Sequence, residues 1–332
     1  MFDSGASQSY AALARCKSPN PQNQYRGRLR IAQARFGEMT LNCADFGNGG
    51  YDGHRNDGLL GYDFISRFVV GIDYAARTLT LHDPSAFRYG GIGHRTRLTL
   101  LEDDSGGKVP LIDLVVEDES GKAHTGKFIV DTGVRTVLTL GDRFATQAGL
   151  KARPGASIRA LAGGGPLVRQ ARLAIRRVPA IRFGGERIVD PVITVSDDKE
   201  GILAAPEFDG IIGGELLKRY RVFLDYPHQQ MIVEHTEAAN RPYDYDMSGL
   251  FLSADRPGFR TFTVRDVVTE SPAAEAGVKV GDVIIAVAGV QTRRLTLASL
   301  RDRLKRAGST IVLVIERGGM RTMYKLVLRR LI

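Results

Sequence analysis

Two acidic residues stand in matching settings, one near each end of a long segment: Phe2-Asp3-Ser4-Gly5-Ala6-Ser7 and Phe128-Ile129-Val130-Asp131-Thr132-Gly133-Val134. Two carboxyl groups that share one proton can hydrolyse a peptide bond without a metal ion or a covalent intermediate. One removes a proton from water while the other protonates the carbonyl oxygen. Carboxylates about 3 Å apart cannot both ionise, so such a pair titrates as a unit with one value pushed up. The chemistry requires each aspartate on a tight loop, and Gly5 and Gly133 allow the turn and a close backbone approach. Ser4 and Thr132 supply hydroxyls that can bond the opposite loop and hold the carboxyls coplanar.

A lone Asp-[Ser/Thr]-Gly is weak evidence, since most copies are β-turns. Here a second motif also recurs downstream of each copy. Asp57-Gly58-Leu59-Leu60-Gly61-Tyr62-Asp63-Phe64-Ile65 matches Asp209-Gly210-Ile211-Ile212-Gly213-Gly214-Glu215-Leu216-Leu217. Then Arg67-Phe68 leads to Ile72-Asp73-Tyr74, as Arg219-Tyr220 leads to Leu224-Asp225-Tyr226. Arg35-Phe36-Gly37 and Arg182-Phe183-Gly184 form a third correspondence. Agreement in order and content marks an internal repeat.

The elements that must carry these loops are mainly β. Short apolar or alternating runs occur at 109–116, 128–130, 192–195 and 222–224, and a short helix fits after each second motif, around 64–68 and 216–220. The glycine-rich stretch 84–93 is the expected linker between a first lobe, 1–86, and a second, 95–236.

The paired Asp-[Ser/Thr]-Gly loops and paired aliphatic-aliphatic-Gly motifs resemble the retropepsin-like aspartic peptidases in a bacterial single-chain form, over residues 2–236. The resemblance implies two β-barrel lobes related by a pseudo-twofold axis, with Asp3 and Asp131 as catalytic residues. It implies that Leu59-Leu60-Gly61 and Ile211-Ile212-Gly213 pack behind the catalytic loops as support. It further implies a glycine-tipped flap, for which Gly163, Gly164 and Gly165 are the candidates, and secretion to a bacterial periplasm or envelope. The first lobe is shorter between Asp3 and Phe36, so its flap is expected to be small or missing.

Three departures from that pattern carry expectations. Ala6 and Val134 follow the two glycines, where pepsin-type enzymes often place a hydroxyl that favours the charged carboxylate, so the dyad should hold its proton to higher pH, with a mildly acidic to neutral optimum. Val134 is bulky and Arg135 replaces a small polar residue, which would narrow that side of the cleft. Only Met1 and Phe2 precede Asp3, whereas a hairpin precedes Asp131, so the first lobe is expected to lack its opening strands, either because the protein begins upstream or because this form is reduced. An α-amino group beside Asp3 would depress its pKa.

After Thr236 a polar, proline-containing linker leads to a different module, expected over 247–332. Ser271-Pro272-Ala273-Ala274-Glu275-Ala276-Gly277 contains an N-cap, a first-turn proline and a terminating glycine for one short helix. Gly281-Asp282-Val283-Ile284-Ile285 opens a strand, Ala288-Gly289 a hairpin turn, and Thr296 caps a second helix with Leu297, Leu300 and Leu304 on one face. This pattern resembles a PDZ domain, an α+β fold, in the permuted order of bacterial periplasmic proteases. The resemblance implies a peptide bound by strand addition, with Ser248-Gly249-Leu250-Phe251 as the carboxylate loop and Leu300 and Leu304 as either pocket wall or core.

Composition narrows the alternatives. The chain has 332 residues and a formal charge of +9, but its arginines are scattered from Arg15 to Arg330, with no basic stripe, and nucleic acid is not the expected partner. The six histidines show no metal-ligand spacing, so neither metal nor cofactor is expected. No run approaches the roughly 20 apolar residues of a membrane span. Cys16 and Cys43 can be bridged or free. The leading reading is an aspartic endopeptidase whose PDZ module recruits polypeptide; the rival is an inactive scaffold that binds peptides through that module.

Overall fold

The computed structural model describes residues 1–17, 19–31, 33–46, 53–151, 157–162, 171–255 and 257–332. The chain is mainly β and divides into two compact units. One comprises Met1–Asp45, Asp57–Lys151 and Arg177–Tyr243; the other comprises Phe46–Asn56, Ala152–Arg176 and Asp244–Ile332.

In the first unit the repeat is visible strand by strand. Strand Tyr10–Ala12 runs parallel to the end of Ala34–Ala44 (Tyr10 opposite Asn42) and antiparallel to Gly58–Leu59. In the second copy Leu138–Leu140 runs parallel to Val192–Val195 and antiparallel to Gly210–Ile212. The residue before each motif aspartate bridges in parallel to the second motif, Phe2 to Leu60 and Val130 to Ile212. The conserved pairing follows from the shared sequence: aliphatic pairs that point both ways suit a strand covered on both faces.

The two copies share a five-stranded sheet. Its central antiparallel pair joins Val69–Asp73 to Tyr220–Asp225, with Gly71 opposite Phe223 at the middle of the register. The repeated Asp-Tyr ends these two strands in the same way. Asp73 Oδ1 accepts the Ala76 N–H at 2.8 Å, and Asp225 Oδ1 accepts the His228 N–H at 3.2 Å. Each aspartate thereby caps the turn that follows it.

The motif Asp-Gly-aliphatic is anchored alike in both copies, because Asp57 pairs with Arg15 at 3.1 Å and Asp209 with Arg143 at 2.9 Å. The third correspondence does not share a structural position. Arg182-Phe183 ends a strand before the Gly184-Gly185 turn, whereas Arg35-Phe36 lies just after the turn of its hairpin.

The first copy, expected to have a small flap or none, carries a hairpin of Gln24–Ile31 with Ala34–Ala44. Arg26, Arg28 and Arg30 alternate on its exposed face, while Phe36 packs edge-on against Phe64 at 5.0 Å. Cys16 and Cys43 form a disulfide that closes the base of this hairpin. Closing a loop of that length restrains the unfolded chain by about 3 to 4 kcal/mol.

In the second unit, Ser157–Ala162 and Ala171–Arg177 pair antiparallel, from Ser157 opposite Arg176 to Ala162 opposite Ala171. The flap candidates Gly163, Gly164 and Gly165 lie outside the described residues. The C-terminal part has a six-stranded sheet with Leu250–Asp255 at one edge, and a core that includes Leu252, Phe262, Ile284, Leu300 and Leu313. Ser271 caps the helix Pro272–Glu275, and Thr296 forms a capping box with Ser299 at the start of the helix Leu297–Arg303. Ala288 and Gly289 both have positive φ, as a tight hairpin turn requires.

Candidate active site

Each motif aspartate is fixed by its own loop. The Asp3 N–H donates to the Leu60 carbonyl at 3.0 Å and the Asp131 N–H to the Ile212 carbonyl at 2.9 Å, so both loops hang from the second motif. The glycine two residues on then donates its N–H back to the carboxylate, Gly5 to Asp3 Oδ1 at 3.1 Å and Gly133 to Asp131 Oδ1 at 2.7 Å. This local bond selects one orientation of each carboxyl.

The loops also hold each other. Thr132 Oγ1 accepts the Ser4 N–H at 3.1 Å, and Ser4 Oγ accepts the Thr132 N–H at 3.0 Å. Each hydroxyl then donates onward, Ser4 Oγ to the Val130 carbonyl at 2.7 Å and Thr132 Oγ1 to the Phe2 carbonyl at 3.0 Å. A side-chain hydroxyl is needed at both positions because it must accept and donate at once.

The closeness of the two acids is read from the glycines. A Cβ placed on Gly5 would lie 2.4 Å from Asp131 Cγ, and one placed on Gly133 would lie 2.6 Å from Asp3 Oδ2. Each loop therefore passes directly over the other's carboxylate, and the two carboxyl groups interact with one another. Burial raises the pKa of Asp3, opposed by its interaction with Asp131 and its bond to the Gly5 N–H. Asp131 is pushed well above the ordinary carboxylate range, first by burial and then by the charge of Asp3. The pair holds one proton strongly, with Asp131 its better-placed carrier. The Ala6 and Val134 N–H groups still favour the charged forms, although neither residue has a hydroxyl to add.

The supporting residues lie beneath. Ile212 is fully buried, and Leu60 is half-buried. Gly61 and Gly213 touch the return of each catalytic loop: a Cβ would meet the Gln8 carbonyl at 2.3 Å in one copy and the Thr136 carbonyl at 2.3 Å in the other. Ser9 Oγ accepts the Gly61 N–H at 3.0 Å, a contact the motif search did not identify. Val134 packs into an apolar cluster with Leu111, Ile129, Phe208 and Ile211.

Two further side chains near the acids escaped sequence reasoning although their motif had been noticed. Tyr226 is buried, its hydroxyl has no hydrogen-bond partner, and its ring meets that of Tyr62 edge-on at 5.7 Å. Its pKa is pushed far up, mainly by burial and then by the charges of Asp3 and Asp131. Tyr74 is pushed up to about 12, by burial and then by Asp131. The Tyr of each Asp-Tyr copy thus lies within electrostatic reach of the dyad.

In the C-terminal module, Leu250, Leu300 and Leu304 are buried in the core and Phe251 is half-buried. Gly249 has φ +80°, and a Cβ there would lie 2.2 Å from Ser271 Oγ, so only glycine fits. Arg301 reaches from the helix Leu297–Arg303 to the Leu252 carbonyl of the edge strand at 3.0 Å. Asp246, unnoticed in the sequence, is half-buried with one carboxylate oxygen shielded from solvent, and burial pushes its pKa up to about 6.

Among the described residues, no group of three or more His, Cys, Asp or Glu side chains is placed to hold a metal ion, and no helix is long and apolar enough to cross a membrane.

Residues 115–216 match a family described as aspartyl protease, and residues 263–317 match one described as PDZ domain. The chain therefore carries an aspartyl protease domain followed by a C-terminal PDZ domain. No curated protein matches the sequence. Among solved structures, the chain is similar to a photosystem II D1 C-terminal processing protease, with 23% identity over 34% of this chain and a TM-score of 0.24. It spans 30% of that protease's length. It is also similar to the HtrA-type protease AlgWS227A with decapeptide, at 13% identity, 70% of this chain, 78% of that one and a TM-score of 0.28. An aspartic proteinase from Irpex lacteus matches at 10% identity over 73% of this chain and 91% of that one, with a TM-score of 0.42.

Proposed function

We propose that this chain, with its aspartyl protease and PDZ domains, is an endopeptidase in which Asp3 and Asp131 activate a water molecule between them. The reading rests on one observation: each motif glycine lies directly over the opposite carboxyl, which brings the two acids into one site. In the resting pair Asp131 holds that proton and Asp3 is ionised. Asp3 takes a proton from water as the oxygen attacks the scissile carbonyl carbon, and Asp131 donates its proton to the carbonyl oxygen. The resulting tetrahedral diol collapses when Asp131 recovers a proton from one hydroxyl and Asp3 gives its proton to the departing nitrogen. The C–N bond breaks, acid and amine leave, and the dyad returns to its single-proton state.

Leu60, Gly61, Ile212 and Gly213 support the loops, and Ser4 and Thr132 keep the carboxyls in register. The hairpin of Gln24–Ile31 with Ala34–Ala44 covers the bound polypeptide. The PDZ module recruits polypeptide by adding it as a strand at Leu250–Asp255. We assign the chain to an oxidising compartment, the bacterial envelope by family resemblance, because a bridge such as Cys16–Cys43 persists there.

The test is to incubate the chain with an unfolded protein from about pH 3 to about pH 8, with and without a statine-containing inhibitor that mimics the tetrahedral diol. Inhibitor-sensitive cleavage at internal bonds supports the reading. Absence of cleavage at every pH, with peptide binding intact, leaves only the binding role.

A further inference from the structure

A groove that takes a peptide C-terminus needs free loop amides at the end of its edge strand, where they meet the terminal carboxylate. In this chain those amides are already engaged. The Ser248 N–H donates to Asp246 Oδ1 at 2.9 Å and the Gly249 N–H to the same oxygen at 2.8 Å. The Ser248 hydroxyl also donates to it, at 2.7 Å. The next amide, Leu250 N–H, donates to Ser248 Oγ at 3.1 Å. A carboxylate therefore already sits in contact with the loop, supplied from within the chain.

The arrangement is rigid. The Ser248 carbonyl accepts the Ala273 N–H and the Gly249 carbonyl accepts the Val268 N–H, both at 2.9 Å, so the loop cannot turn its amides outward without breaking its flanks. Asp246 is half-buried, and its second oxygen is shielded from solvent with no hydrogen-bond partner. The Arg329 N–H bonds the Met247 carbonyl, but its guanidinium is committed to Glu275 and to the Glu270 carbonyl. An incoming carboxylate would meet occupied donors and the Asp246 carboxylate behind them.

We propose that Asp246 is a built-in substitute for a ligand's terminal carboxylate, so that this groove takes an internal stretch of extended polypeptide in preference to a free C-terminus. An internal stretch brings no charge to the loop and needs only the main-chain partners of Leu250–Asp255. The inference rests on the reading that this groove binds peptide at all. It suits an endopeptidase, since internal segments of unfolded chains are what such an enzyme cuts.

The test uses the full chain with its cleft saturated by the statine inhibitor, at neutral pH. Two pools of randomised short peptides, identical except for a free carboxylate or a carboxamide at the C-terminus, are applied and the retained peptides are quantified. The expected result is equal retention within about twofold, while Asp246→Ala shifts it about tenfold towards free carboxylates, a change of about 1.4 kcal/mol. Asp246→Asn keeps the acceptor oxygen and removes the charge, so it should move the ratio the same way by less and serves if the alanine variant does not fold. A roughly tenfold preference of the unchanged chain for free carboxylates overturns the inference alone, as does a ratio unmoved in a folded Asp246→Ala chain. Retention of neither pool overturns the groove reading and the inference with it.

Discussion

Ser4 and Thr132 exchange main-chain to side-chain hydrogen bonds, amide to hydroxyl in both directions, at 3.1 and 3.0 Å. This reciprocal pair carries the symmetry of the repeat into the chemistry. The carboxyls of Asp3 and Asp131 are placed by loops that cannot move independently, so alignment is built in before substrate arrives.

Removing one half of that exchange should be costly. Ser4→Ala leaves the Val130 carbonyl and the Thr132 N–H without their partner in a buried place, for about 1 to 3 kcal/mol of stability. The carboxyls lose register as well, and kcat/KM should fall on the order of 100-fold. Thermal unfolding and initial rates on one substrate measure both; a full rate in a stable Ser4→Ala protein would contradict the account.

The pH dependence follows from the dyad. Burial raises both acids, and Asp131 further by the charge of Asp3, so both limbs of the rate profile lie above those of ordinary carboxyls. Activity needs one proton on the pair: it is lost below the lower apparent pKa, when both are protonated, and above the higher, when both are charged. The profile should peak above about pH 4. A maximum below about pH 3 contradicts this.

Tyr226 should tune the acidic limb. Its hydroxyl is a buried dipole with no hydrogen-bond partner, lying in the field of both carboxylates. Tyr226→Phe removes a group that favours the charged pair, so the lower apparent pKa should rise by about half a unit to one unit. Stability should hold or improve, because an unpaired buried hydroxyl is lost. A pH-rate profile unchanged in both limbs would reduce Tyr226 to packing.

Much of this was legible because the chemistry is local in sequence. Asp, hydroxyl and glycine are consecutive, and the second motif repeats in the same order, so loop, support and pairing could be named in advance. The caps at Ser271 and Thr296 and the turn at Ala288-Gly289 were legible for the same reason. What was missed depends on chain return. Tyr226 lies far from either aspartate in sequence and meets them only through the shared sheet. Whether Cys16 reaches Cys43 depends on a hairpin whose alternating Arg26, Arg28 and Arg30 gave a strand signal that was not used. Arg35-Phe36-Gly37 matched its partner in letters but falls on the other side of a turn. Asp246 looks like any loop acid until the fold half-buries it.

That burial should appear in the stability of the C-terminal module. The folded pKa of Asp246 is pushed up to about 6 from an ordinary 3.8, mainly by burial. A raised pKa means the folded state binds the proton more tightly. Its stabilising contribution is complete below the unfolded value and is lost as pH rises through about 6. Local hydrogen exchange should therefore slow as pH falls across that window, after correction for intrinsic rates, and Asp246→Asn should remove the effect. A pH-independent opening free energy in the unchanged chain would contradict it.

The most direct test of the shared-proton dyad compares the unchanged chain with Asp131→Asn on one unfolded protein substrate at the optimum pH. An amide cannot pass the proton between water and the carbonyl oxygen, so kcat/KM should drop by at least about 1,000-fold while the fold is retained by circular dichroism. Cleavage by folded Asp131→Asn at a rate near that of the unchanged chain would show that these two acids do not carry the reaction.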